Sequence, residues 1–220
     1  MEDPKMLPGL DRLLEACRST GVRVDLMPPG RSVPAPGALV AGHPFDPLLA
    51  SIYRRLGRAR FGGESGLLQF HRLDDQVDGL DLSGKQLRQD EQEPFHSSVV
   101  FASVPGLAHY YATVPKLASS MGRQPVIYIE AYDEKPVLPI ASDVDRFLDT
   151  FSHYIERLSQ DEGLLSEENP DTVFPWSIPD LIARDRPLVK RLATGDFDFL
   201  MAKTPGTRKW VAQVKKAAHL

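Results

Sequence analysis

From Leu67 to Ile140 most of the sequence falls into short runs with the two-residue alternation of strands, and the stretch after it has the spacing of a helix. The runs Gly66–His71, Ser97–Ser103, Leu107–Val114, Pro125–Glu130 and Pro136–Ile140 are rich in β-branched and aromatic residues and bounded by turn residues. Their close spacing leaves no room for parallel crossovers, so they predict an antiparallel meander. Behind them Val144, Phe147, Leu148, Phe151, Ile155 and Leu158 repeat at three and four residues, with Ser142 and Asp145 placed as a capping box. Sheet first and helix second predicts an α+β fold: a mainly antiparallel sheet of about four to six strands, packed on one side by helices.

The flanks read differently. Leu10, Leu13, Leu14 and Cys17 predict a short N-terminal helix, and Val22–Met27 alternates like a strand. Pro28–Gly42 is rich in Pro, Gly and Ala and reads as a loop. Asp46 as N-cap, Pro47 at the first helical position and the apolar face Leu48, Leu49, Ile52, Tyr53 and Leu56 predict a second helix, with Gly57 as its stop. Arg58–Gly66 is expected to turn the chain into the first body strand. The expected division is therefore 1–42, a helix and loop; 43–158, the α+β core; 159–172, an acidic linker; and 173–220, a helical extension. The aromatics Phe174, Trp176, Phe197, Phe199 and Trp210 give that extension reason to pack on the core.

Composition narrows the class. With 42% hydrophobic and 25% charged residues, the chain is an ordinary globular sequence, and no window is long and apolar enough to predict a membrane span. A single cysteine, Cys17, rules out an intramolecular disulfide, and the N-terminus lacks a secretory pattern, so a cytoplasmic location is expected. The net charge of -4 is uneven: residues 181–220 hold nine basic and three acidic side chains, leaving the other residues at -10. An acidic body makes nucleic acid an unfavourable partner, although Arg208, Lys209 and Trp210 place basic residues beside an aromatic.

Motifs for chemistry are sparse. No phosphate-binding glycine motif occurs, and Gly62, Gly63 and Gly66 read as a tight turn. The six histidines have no metal-ligand spacing, although His71, His96 and His109 fall on or beside different strands and would share a face in an enzyme with a histidine site. Cys17 lies on an apolar helix face and reads as a small buried hydrophobe. No cofactor is expected. The remaining candidates are contacts for a partner protein. They are the acidic loop with Asp74, Asp75, Asp78 and Asp81, the turn with Val104, Gly106 and Leu107, and the aromatic anchors His109 and Tyr111. A scaffold subunit that docks through its basic tail, Thr204–Leu220, is the third class to weigh.

Several of these segments together resemble the SUKH superfamily. Leu48–Leu56, the pair Gly62 and Gly63, the strand Leu67–Phe70, Phe101-Ala102-Ser103, Tyr110-Tyr111, Val126–Glu130, and Ala141-Ser142 with Phe147-Leu148 stand where that family's pattern has its helix, glycines, strands and closing helix. The likeness covers about residues 43–158. Only Gly106 remains of the family's glycine turn, with Leu107 and Ala108 where glycine and an acidic residue are usual. The resemblance implies a non-enzymatic binding domain. In bacterial members it implies immunity to a toxin encoded nearby, and an acidic body suits a basic toxin.

Overall fold

In the computed structural model, residues 7–30, 32–63, 66–73, 79–80, 93–132, 136–160, 173–201 and 204–219 are described. Asp74, Asp75, Asp78 and Asp81 lie outside them. The chain is α+β. Seven strands form one antiparallel sheet in chain order except for an inserted two-stranded ribbon, and helices pack on it. The strands are β1 (Val24–Met27), β4 (Arg58–Phe61), β5 (Leu68–Phe70), β6 (Val99–Ser103), β7 (His109–Thr113), β8 (Val126–Glu130) and β9 (Val137–Ala141). The ribbon pairs β2 (Leu39–Val40) with β3 (His43–Pro44). The helices are α1 (Pro8–Thr20), α2 (Pro47–Arg55), α3 (Val144–Leu158), α4 (Pro179–Ile182), α5 (Arg186–Thr194) and α6 (Pro205–Ala217). Among the described residues no helix is long and apolar enough to cross a membrane.

The sheet is wider than the four to six strands expected. Arg58–Phe61, expected to be part of a turn, is a strand whose residues alternate between half-buried and buried. It pairs with β1 on one side and β5 on the other. Its sequence, Arg-Ala-Arg-Phe, does alternate, but two arginines and the nearby glycines mask the pattern. The glycines form the β4–β5 turn, as expected. Gly66 has φ +49°, and a Cβ there would meet the Pro105 ring at 2.4 Å, so the turn and the neighbouring β6–β7 turn close on each other.

One face of the sheet meets α3 through rings. Phe147 of α3 contacts Phe101 at 5.9 Å and Tyr111 at 5.1 Å between centroids. Phe174, ahead of α4, packs against Phe151 at 5.0 Å, Tyr154 at 5.2 Å and Tyr111 at 5.8 Å. Such offset and edge-on ring pairs add to the burial of area itself. The extension is thus anchored by aromatic packing, and a single apolar cluster runs from Leu7 to Ala218. Trp210 is 1% exposed and its indole N–H donates to Pro175 O at 3.1 Å. It is a core residue and cannot serve as a stacking platform for nucleic-acid bases.

Four aspartates close the helix N-termini near the β9–α3 junction. Asp46 caps α2, accepting from the amides of Leu48 and Leu49 at 2.7 and 3.0 Å, and its second oxygen accepts from Gln124 N at 2.7 Å. Asp143 caps α3 through Arg146 N at 2.9 Å. Asp145 accepts from Gly9 N at 2.9 Å in the first turn of α1. Asp185 caps α5 through Leu188 N at 3.1 Å and also holds Ser142 N at 2.6 Å. The cap of α3 is therefore Asp143, one residue later than the box expected from Ser142. The Ser142 amide is committed to Asp185, and Asp143 has the extended backbone a cap requires. Helix α2 likewise ends at Arg55, with an extended Leu56 as its cap, one residue before Gly57. Gly9 lets α1 approach closely, because a Cβ there would lie 2.1 Å from Asp145 O.

Candidate functional site

The end of the sheet opposite those aspartates gathers the β4–β5 turn, the β6–β7 turn and the chain leaving β8. The β6–β7 turn is held by Val104 N donating to His109 O at 3.0 Å and Leu107 N to Val104 O at 3.2 Å, with Gly106 at φ +78°. Ala131 N donates to Ala108 O at 2.7 Å, extending the β7–β8 ladder beyond the His109–Glu130 pair. Continuing that register sets Leu107 across from Tyr132. Both are 48% exposed.

Beneath them lies a half-buried aromatic group. The His109 ring meets Tyr128 at 5.4 Å and Tyr132 at 5.6 Å, both edge-on. Trp176, from the extension, donates its indole N–H to Glu130 Oε2 at 3.3 Å. Burial holds the His109 pKa below the usual histidine value, and the Glu130 carboxylate pulls only partly the other way. His109 is therefore neutral at pH 7 and offers one donor and one acceptor. Burial first, then Glu130, keeps the Tyr128 hydroxyl protonated. The arrangement offers an apolar, aromatic rim over a neutral imidazole and one carboxylate, which suits a contact surface.

Val104, Gly106, Leu107 and His109 are thus brought together. Tyr111 is not among them. At 1% exposure it lies two residues deeper along the same strand face, where Phe147, Phe174 and Tyr128 cover it. The expectation of an exposed anchor at Tyr111 is corrected: strand alternation points it at α3, whereas His109 falls past the edge of that cover. Tyr132, Glu130 and Trp176 complete the site and were missed. Tyr132 falls between the runs Pro125–Glu130 and Pro136–Ile140, and only the register of β7 with β8 sets it opposite Leu107.

The three histidines of the enzyme reading are used separately. His71 Nε2 lies 3.0 Å from Ser103 Oγ, the backbone oxygen of His96 is 3.0 Å from His43 Nε2, and His109 packs edge-on against tyrosines. Among the described residues no three His, Cys, Asp or Glu side chains are grouped to hold a metal ion. Cys17 is buried, and burial pushes its thiol up to about 11, so it is a protonated core residue.

No family model matches the chain, and no curated protein matches it either.

Proposed function

We propose that this protein is a SUKH-like binding module, an immunity or regulatory protein, and that it engages a partner protein through the open end of its sheet. The observation that carries the reading is the pair Leu107 and Tyr132. Both are large side chains left 48% exposed at this end of the sheet, and Tyr132 packs edge-on against the His109 ring. Exposed tyrosines such as Tyr132 are among the residues that interface hot spots concentrate, and Leu107 adds apolar area at the same end. The acidic balance of residues 1–180 favours a basic partner, and the sequence places Asp74, Asp75, Asp78 and Asp81 between β5 and β6 as further contacts for it. A complex of standard size would bury about 1,200–2,000 Å² in total. A cytoplasmic setting fits the single buried thiol.

The test is co-purification and calorimetry with the product of the adjacent gene. A 1:1 complex that Leu107→Asp and Tyr132→Ala each weaken supports the reading. Absence of a complex, or one indifferent to both substitutions, overturns it. The 3.0 Å contact of His71 with Ser103 favours a second reading, an enzyme using a serine activated by histidine. Labelling of Ser103 by an active-site-directed fluorophosphonate, abolished by His71→Ala, would support that reading; an unlabelled protein would remove it.

A further inference from the structure

The helical extension holds a cavity of about 260 Å³ between α5 and α6. Leu192, Phe197, Met201 and Val211 give it apolar walls, and Thr207 and Gly195 complete the lining. Arg208 and Lys215 stand on its α6 lip and Asp198 on the other. Arg208, Val211 and Lys215 are three and four residues apart, so one stripe of α6 presents cation, apolar wall, cation.

Three observations fix the kind of occupant. First, the volume falls below the roughly 300–1,000 Å³ of typical small-molecule sites and matches one large apolar side chain. Second, α6 carries Arg208, Lys209, Lys215 and Lys216 and no acidic residue. Neighbouring cations are already spent: Arg191 pairs with Asp196 at 3.0 Å, and Arg186 bonds the Ala218 carbonyl. Arg208 and Lys215 form no ion pair among the described residues. Third, the surfaces that other anionic partners need are missing here. Trp210, the aromatic residue of α6, is buried, so α6 offers no ring on which bases would stack. The buried stripe of α6 (Thr207, Trp210 and Val214) faces the core, which leaves Val211 in the groove but no broad apolar face to lay into a lipid surface.

We infer that the α5–α6 groove is a docking site for an acidic peptide segment of a partner protein, which inserts one large apolar side chain between flanking Asp or Glu residues. This groove shares no lining residue with the open end of the sheet, and the inference stands whether or not that end binds.

The experiment uses the full-length protein and fluorescein-labelled peptides of Asp, Glu and Gly with one central Phe, read by anisotropy. Controls are the same peptide with Ser for Phe and one with Lys for every acidic residue. The acidic Phe peptide is expected to bind, the Ser peptide about tenfold or more weakly, as for loss of a buried anchor, and the Lys peptide not at all. Arg208 is exposed and Lys215 half-buried at the groove, so the double substitution Arg208→Glu with Lys215→Glu leaves the core intact and should preserve the melting temperature while abolishing binding. Val211→Ser should weaken the Phe peptide and leave the Ser peptide unchanged. Equal affinity for the Phe and Ser peptides, no binding, or binding unaffected by the double substitution would overturn the inference. So would preferential binding of an oligo-dT strand or of phosphatidylglycerol vesicles that the Phe peptide fails to compete.

Discussion

The two ends of the sheet are made from similar materials and put to opposite use. At the α3 end, Asp46, Asp143, Asp145 and Asp185 turn inward and satisfy backbone amides of four helices. At the other end, Leu107 and Tyr132 are left outward over a half-buried histidine. In the first case carboxylates are buried (Asp46, Asp185) or half-buried (Asp143, Asp145) to hold the fold; in the second apolar groups are exposed for no benefit to the fold. Residue type alone would have suggested the reverse. What decides is whether unsatisfied helix amides lie nearby, because those make a buried carboxylate tolerable.

The comparison is most easily broken inside the sheet. Tyr111→Ala removes a ring packed against Phe147, Tyr128 and Phe174 and should cost about 3–5 kcal/mol in chemical denaturation. A loss under about 1 kcal/mol would mean that Tyr111 is not the core residue its burial indicates. Next, Asp46→Ala strips the acceptor from three buried amides and should cost about 3 kcal/mol, clearly more than Asp143→Ala at about 1 kcal/mol.

The third effect is a pH dependence. Burial raises Asp46 and Asp145 to about 6, the backbone amides lower them only in part, and Asp143 adds to the rise. Asp185 is raised for the same leading reason. A raised carboxylate binds its proton in the folded state first, so stability from these groups grows as pH falls from about 7 toward about 4. Asp180 is lowered by its hydrogen bonds to Arg157, and its contribution is lost only below that window; His109, held below its usual value, works against the rise between pH 7 and 5, one histidine against three raised carboxylates. The melting temperature should therefore be higher near pH 5 than at pH 7, and Asp46→Asn should flatten the difference. A melting temperature that falls steadily from pH 7 to 5 would contradict the assignment. The smallest effect is expected at the open end, where Leu107→Asp and Tyr132→Ala should change stability by no more than about 0.5 kcal/mol. A large loss there would turn the exposed pair into structural residues and remove the contrast.

Much of the architecture was legible because burial is periodic. The strands from Leu68 to Ala141, the stripe of α3 and the Asp46 cap all announce themselves through spacing and residue type. The candidate site was legible only in part. Val104, Gly106, Leu107 and His109 stood out at an unusual turn, but Tyr132, Glu130 and Trp176 join them through strand register and a packing contact made by residues distant in sequence. Tyr111 was misjudged because an aromatic alternating with other aromatics looks the same whether or not a helix covers its end of the strand.

The sequence by itself determined that this is an α+β protein with an antiparallel meander, a capped amphipathic helix and an acidic body with a basic tail. Those properties follow from local periodicity, turn chemistry and charge, which need no partner to be read. Only the tertiary structure decided that Arg58–Phe61 joins the sheet, that Ser142 yields the cap to Asp143, that the Trp210 indole bonds Pro175 O, and that an apolar groove with a basic lip opens between α5 and α6. Each of these depends on which distant segment supplies the hydrogen-bond partner or the cover, and no local pattern along a chain encodes that choice.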